Sequence, residues 1–340
     1  MNYDTRIVSE SDADIKYAAE LIKSGELVGM PTETVYGLAA NALDPEAVAK
    51  IFKAKGRPQD NPLIVHLADI SDLEKYVHDI PDEAYRLAEL FCPGPLTMVL
   101  PKNDCIPDIT SAGLDTVGIR IPANKTARAF IAACGTPIAA PSANLSGSPS
   151  PTSAQHVYDD MKGRIPAIID GGSCSVGVES TVVSFENGKI RLLRPGFISP
   201  DELSQAGDVI LSKGITDALS DGEIVRSPGM KYKHYSPKAN VTIIDGDPDA
   251  YVDYLKKNCG ESCAAMCFDS ECAPLEAAGI KCISYGDTDE EQAREIFAAL
   301  REFDEQGVKQ VYAHCPHKNG IGLAVYNRLL RAAGFEVIVL

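Results

Sequence analysis

From residue 241 to the C-terminus the chain alternates short apolar runs with helix-patterned segments, and few folds accept that alternation. The runs at 241–244, 263–268, 281–285, 308–313 and 336–340 are strand-sized, and helical periods at 248–257, 272–278, 289–305 and 323–333 lie between them. Strands separated in this way pair in parallel, because each connection must cross the sheet and a helix covers the crossing. The pattern predicts a small Rossmann-like parallel α/β domain over residues 240–340. It holds no G-x-G-x-x-G and no Walker A sequence, so this part of the fold implies no nucleotide site by itself.

Residues 1–207 mix strands, helices and a hairpin. Apolar runs at 27–30, 62–67, 96–100, 117–121 and 137–140 read as strands, and 82–91, 126–134 and 152–161 as helices. Asp44-Pro45-Glu46 is a helix start, with a capping carboxylate, proline in the first turn and an acid against the dipole; Gly56 is its stop. Asn187-Gly188, between apolar runs, predicts a tight hairpin. Residues 208–239 lose clear periodicity and carry the turn formers Ser227-Pro228-Gly229 and Ser236-Pro237, the marks of a linker. The expected organisation is therefore 1–207, a linker at 208–239, and 240–340. With 340 residues, each domain can bury a core without disulfides or metal.

A chain that is 45% hydrophobic and 24% charged is neither disordered nor fibrous. Its longest apolar runs fall far short of the ~20 residues of a membrane helix. The first ten residues are charged and lack the apolar core of a signal peptide, so the expectation is a soluble cytoplasmic protein. The net charge of −16 repels a nucleic-acid backbone, and no strong direct nucleic-acid binding is expected. Between Arg226 and Lys238, however, stand four basic residues and no acid, which reads either as a solvated linker or as a local anion contact. The ten cysteines are expected to be reduced thiols. Cys259, Cys263, Cys267, Cys272 and Cys282 contain no C-x-x-C pair and match no zinc or iron–sulfur spacing, so no metal ligands are assigned. Cys263 and Cys267 read as small apolar residues of a buried strand.

Several polar segments sit at strand ends, where α/β proteins place ligands. Pro31-Thr32-Glu33-Thr34-Val35-Tyr36-Gly37 leaves the first apolar strand, either as a plain turn or as a binding loop. Lys53, Lys55 and Arg57 end a helix; they complement its C-terminus or grip phosphate. His66 lies within an apolar strand, a structural histidine or a site residue. Arg120 lies within another, and a buried guanidinium needs an anion, either a protein carboxylate or a bound one. Pro141-Ser142-Ala143-Asn144 offers hydroxyl, amide and backbone donors after a strand.

Taken in order, Thr32-Glu33-Thr34-Val35-Tyr36-Gly37-Leu38, Lys55-Gly56-Arg57-Pro58, Asn61-Pro62-Leu63, Gly94-Pro95-Leu96-Thr97, Gly118-Ile119-Arg120-Ile121-Pro122, Pro141-Ser142-Ala143-Asn144, Glu179-Ser180-Thr181 and Arg194-Pro195-Gly196 resemble the YrdC-like family of L-threonylcarbamoyladenylate synthases. The resemblance covers roughly residues 5–205, and the linker with the C-terminal α/β unit is similar to the longer, two-domain form. It implies a twisted-sheet α/β catalytic domain around a positively charged concavity. It implies a nucleotidyltransferase that joins L-threonine, bicarbonate or CO2, and ATP into threonylcarbamoyl-AMP and pyrophosphate. The product would pass to a separate transferase complex that modifies tRNA adenosine.

Carried over by position, the resemblance implies Lys55, Arg57, Ser142 and Asn144 as catalytic residues. Thr34, His66, Arg120, Ala140 (through its backbone) and Ser180 would line the threonine pocket. Arg57, Asn61, Ser142 and Arg194 would contact ATP, with Lys55 near the phosphates and Thr116 and Ser150 as weaker candidates. The linker would close as a lid that brings His234 and Tyr235 to the nucleotide. Mg²⁺ is expected with the triphosphate. Because every reactant is an anion, the cavity is expected to be rich in cations and donors and poor in acids. The rival readings are an RNA-binding module, a carbamoyl transferase, and a threonine- or nucleotide-binding regulator without turnover.

Overall fold

Local signals set most of the helices. The computed structural model describes residues 2–59, 61–212, 215 and 235–340. In the helix Pro45–Lys55 the Asp44 carboxylate accepts from the Glu46 and Ala47 amides, and Gly56 ends it in the left-handed region at φ 63°. Helix Lys125–Cys134 repeats the device with Asn124 at its start and Gly135 at its end. Asn187 and Gly188 both take positive φ, 53° and 72°, and join Thr181–Glu186 to Lys189–Arg194 as the expected hairpin.

The chain forms two compact units. One comprises Met1–Ser146, Ser150–Ser175 and Glu179–Met230; the other comprises Gly147–Pro149, Val176–Val178 and Lys231–Leu340.

The first unit is built on a mixed sheet with, among the described residues, eleven strands. In spatial order they are Arg6–Val8, Ala167–Ile169, Val28–Met30, Gly37–Asn41, Ile138–Ala139, Ile64–His66, Thr116–Arg120, Leu96–Pro101, Thr181–Glu186, Lys189–Arg194 and Val209–Leu211. Helices Asp12–Lys23 and Lys125–Cys134 cover one region of it, packing Ile15, Ala18, Ile22, Phe130 and Ile131 against Val28, Met30, Ala39, Ile138 and Ile169. The sequence expectation lacked the strands at Arg6–Val8, Gly37–Asn41, Ala167–Ile169 and Val209–Leu211, and the helix Asp12–Lys23.

The register matters for function. Strand Ile64–His66 runs parallel to Thr116–Arg120, and His66 is the direct partner of Arg120. Partners in a parallel pair project from the same face. Both residues end their strands, so the register alone brings an imidazole and a guanidinium side by side.

The second unit is the predicted parallel sheet. Its strands lie in the order Cys282–Ser284, Cys263–Cys267, Gln310–His314, Asn240–Asp245 and Val337–Val339, and every pairing is parallel. Helices Pro248–Asn258, Asp269–Ala277, Asp289–Glu305 and Gly322–Ala332 make the crossings. Thr288 and Glu291 form a capping box that starts the longest of them. One expectation is corrected here: Cys259 and Cys263 form a disulfide. Cys259 follows the last residue of a helix and Cys263 opens the next strand, and the turn between them brings the two Cα atoms within 5.4 Å.

Candidate active site

The loop after strand Val28–Met30 folds on its own hydroxyls. Thr32 Oγ1 accepts from the Thr34 amide at 3.2 Å, donates to the Val35 carbonyl at 2.6 Å and lies 2.9 Å from Thr34 Oγ1. This presents Thr34, fully buried, to the end of the neighbouring strands. Arg120 reaches it there: Nη1 donates to Thr34 Oγ1 at 2.8 Å and Nη2 to Glu33 Oε1 at 2.7 Å. The anion that the buried guanidinium required is therefore a protein carboxylate, Glu33, and both groups are under a tenth exposed. Arg120 Nε has no hydrogen-bond partner among the described residues.

The charges set the protonation states. Burial pushes the Glu33 carboxyl up, but the charge and hydrogen bonds of Arg120 outweigh it, and the group stays below its ordinary range. His66 moves down to about 3, first because it is wholly buried and then because Arg120 stands beside it. Its imidazole is neutral at physiological pH, with Nδ1 lacking a hydrogen-bond partner among the described residues.

Ser180 closes this corner. Its hydroxyl lies 2.7 Å from Thr97 Oγ1, and Arg194 Nη2 donates to its Oγ at 3.1 Å and to its carbonyl at 3.0 Å. The approach needs Gly196, where a Cβ would stand 2.2 Å from the Thr181 nitrogen. Ala140 is buried, and its N–H is committed to the Ile64 carbonyl at 3.0 Å. A backbone contact to a ligand there rests on its carbonyl.

A second corner forms around Lys55. Its side chain is buried and its Nζ donates to the Ser142 carbonyl, to the Asn144 carbonyl at 2.6 Å and to Asn144 Oδ1 at 3.3 Å. Ser142 Oγ donates to Asn144 Oδ1 at 2.5 Å. Lys53, at the same helix end, is exposed. Arg57 stands half-buried just past the Gly56 turn, and Asn61 is buried with an Oδ1 that accepts no hydrogen bond among the described residues.

Backbone bonds tie the two corners together. Ala143 N–H donates to the Tyr36 carbonyl at 2.8 Å, Leu38 N–H to the Pro141 carbonyl at 2.7 Å, and Gly37 bridges Ser142. The loop that carries Thr34 is thus continuous with the loop that carries Ser142 and Asn144.

The weaker candidates differ in place: Thr116 lies away from the Arg120 end of its strand, whereas Ser150 bonds a carboxylate at the site. Thr116 is at the other end of the Arg120 strand, about 13 Å away at ~3.3 Å per residue. It lines a narrow cleft with Pro62, Thr97 and Gly118. Ser150 is fully buried and donates to Glu179 Oε1 at 2.6 Å, so its hydroxyl is already committed. Tyr235 belongs to the second unit, where it is buried with its ring 5.2 Å from that of Phe297. His234, and most of the proposed lid, lie outside the described residues.

The expectation of a cavity poor in acids is corrected. Glu33 and Glu179 are both buried at the site, and neither had been given a role. The signal for Glu33 was Arg120 itself, whose charge demanded a partner. Thr32 and Thr97 were likewise missed, since a threonine near a turn carries no sequence mark of burial.

Residues 20–196 match the Sua5/YciO/YrdC family profile, described as telomere recombination. Residues 198–334 match the threonylcarbamoyl-AMP synthase C-terminal domain. The threonylcarbamoyl-AMP synthase of Pyrococcus abyssi is 44% identical over 95% of this chain and 95% of its own length. The chain belongs to the two-domain YrdC-like family of threonylcarbamoyl-AMP synthases. The Bacillus subtilis threonylcarbamoyl-AMP synthase is also 44% identical, over 97% of this chain and 96% of its own. The crystal structure of P. abyssi Sua5 complexed with L-threonine superposes with a TM-score of 0.89 at 42% identity, covering 99% of both chains. As a threonylcarbamoyl-AMP synthase family member the chain is an enzyme of the nucleotidyltransferase type. No helix among its described residues is long and apolar enough to cross a membrane.

Proposed function

We propose that this chain condenses L-threonine, CO2 from bicarbonate, and ATP into threonylcarbamoyl-AMP and pyrophosphate. The observation that supports this reading best is the backbone coupling of the two corners. One corner holds Arg120, Thr34, His66 and Ser180; the other holds Lys55, Ser142 and Asn144. An amino acid in the first and a triphosphate in the second would meet at the Tyr36–Ser142 junction. Positioning of this kind supplies much of the acceleration in phosphoryl and nucleotidyl transfer.

In this reading Glu33 holds the Arg120 guanidinium, which turns its unpaired Nε edge to the threonine carboxylate. Thr34 and Ser180 bond the amino acid. The threonine amine attacks CO2 and its proton goes to the hydroxide left from bicarbonate, giving the carbamate and water. A carbamate oxygen then attacks the α-phosphorus and pyrophosphate leaves. Arg57, Asn61, Ser142 and Arg194 hold the nucleotide, and Lys55 holds the Ser142–Asn144 loop against the phosphates. His66, neutral and with a conjugate acid near pKa 3, is too weak a base to deprotonate an ammonium group. Its role is to hydrogen-bond the bound amino acid.

Magnesium belongs to the same proposal. The donor set fits an ion carried in by the triphosphate rather than one held in a protein cage. The site's two buried carboxylates are engaged by Arg120 and Ser150, while Asn61 Oδ1 remains as a hard oxygen donor. When bound, the ion supplies neutralisation of the triphosphate charge. The product, a mixed anhydride, would serve a separate tRNA threonylcarbamoyl transferase complex.

The test is incubation with ATP, Mg²⁺, L-threonine and labelled bicarbonate. Pyrophosphate and a labelled adenylate should form, both only when threonine is present. Folded, ATP-binding protein that yields no adenylate would overturn the reading in favour of a binding protein without turnover.

A further inference from the structure

The intervals between the clustered cysteines match no metal-binding spacing, yet the fold of the second unit assembles three of them. In the register of the parallel sheet, Cys282 is the partner of Ala265. Ala265 and Cys267 project from the same face, so Cys267 and Cys282 are diagonal neighbours on it. The helix Asp269–Ala277 then brings Cys272 to the same place. The Sγ atoms of Cys267 and Cys272 are 3.7 Å apart, and all three Sγ atoms lie within 4.8 Å of one another. Three thiolates at a Zn–S distance of about 2.3 Å around a tetrahedral ion are about 3.8 Å apart. One pair already has that spacing, and the third sulfur stands at most about 1 Å beyond it.

We propose that Cys267, Cys272 and Cys282 form a binding site for a thiophilic d¹⁰ metal ion, zinc(II), with a solvent ligand in the fourth position. Cys267 is buried and forms the floor, whereas Cys272 and Cys282 are half-buried and leave an entry path. Among the described residues the buried Cys134 and Cys174 of the first unit belong to no such group of donors. Residues 240–340 hold 17 acidic and 9 basic residues, a field that gathers cations. Soft thiolate donors select zinc over the magnesium of the catalytic reading. Binding is a proton-balanced exchange: Zn²⁺ and three thiols give a tris-thiolate complex of charge −1 and three protons. Without the ion, burial and the neighbouring cysteines push the thiols of Cys267 and Cys282 upward, the latter to about 11, and keep them protonated.

The experiment titrates the full-length protein, its Cys259–Cys263 disulfide intact and its other thiols reduced, anaerobically with Co²⁺, a spectroscopic substitute for zinc. One equivalent should produce a thiolate-to-cobalt charge-transfer band, and Zn²⁺ should abolish it. Cys272→Ser and Cys282→Ser should each weaken binding at least tenfold. Cys105→Ser, at an exposed cysteine of the first unit, should not. Because the altered residues are half-buried, their melting curves verify folding independently. Absence of the band in folded protein so prepared, or its survival in the Cys272→Ser, Cys282→Ser double variant, would overturn the proposal. Neither outcome bears on adenylate formation, so the site and the catalytic reading stand or fall separately.

Discussion

His66 offers the sharpest test of the site's electrostatics. The unfolded chain binds a proton there near pH 6.5, while the folded chain resists it until about pH 3. Between those values the unfolded state holds more protons, so stability falls as pH falls through this window. The gap from 6.5 to about 3 corresponds to roughly 4–5 kcal/mol at about 1.4 kcal/mol per pH unit. That is a large share of the ~5–15 kcal/mol that stabilises an ordinary domain. Above pH 6.5 the histidine contributes no pH dependence. The direct assay is imidazole NMR of histidine-labelled protein, with the His66 signal assigned by its loss in His66→Asn. The signal should keep its neutral chemical shift from pH 8 to pH 5. Denaturation followed on the first unit should lose stability below pH 6.5, and His66→Asn should lose less. A His66 resonance that titrates with a midpoint near 6.5 would refute the burial-plus-Arg120 argument and would make the histidine a candidate base.

The other predictions concern the same walls. Glu33→Gln leaves the Arg120 charge without its carboxylate; it should destabilise the protein by about 3 kcal/mol and raise the threonine KM at least tenfold, read by melting and initial rates. Lys55→Met removes the donor shared by the Ser142 and Asn144 carbonyls and should cut threonine-dependent pyrophosphate release at least 100-fold; normal turnover would sink the role of Lys55 as loop anchor. Gly196→Ala puts a methyl group 2.2 Å from the Thr181 nitrogen and should lower both the melting temperature and kcat/KM, the latter at least tenfold. Chelation by EDTA should stop adenylate formation while threonine still binds, measured by calorimetry.

Where the sequence was legible, the information was local. Asp44, Pro45 and Gly56 announce a helix because their side chains and backbone act within one turn, and the helix runs Pro45–Lys55. Asn187-Gly188 announces a hairpin because two adjacent residues adopt positive φ. The parallel sheet of the second unit followed from alternation alone. Strand Gly37–Asn41 was not legible: Gly-Leu-Ala-Ala-Asn has no β-branched residue, and alanine favours helix. Burial between two neighbouring strands overrides that preference. Helix Asp12–Lys23 does carry its signals, a Ser11 cap and Ile15, Ala18, Ala19 and Ile22 at helical spacing, but it lies outside the motifs that drew the reading.

By itself, then, the sequence determined the local turns, the caps, the fold class of the second unit and the ordered motifs of the family. It also determined that a buried Arg120 must have an anion. Only the tertiary structure decided that the anion is Glu33, 87 residues distant, that His66 stands beside the pair and is neutral, and that three irregularly spaced cysteines meet. The reason is physical. Caps and turns arise from interactions among neighbouring residues, whereas a site is assembled by strand register and burial, which depend on the whole sheet at once.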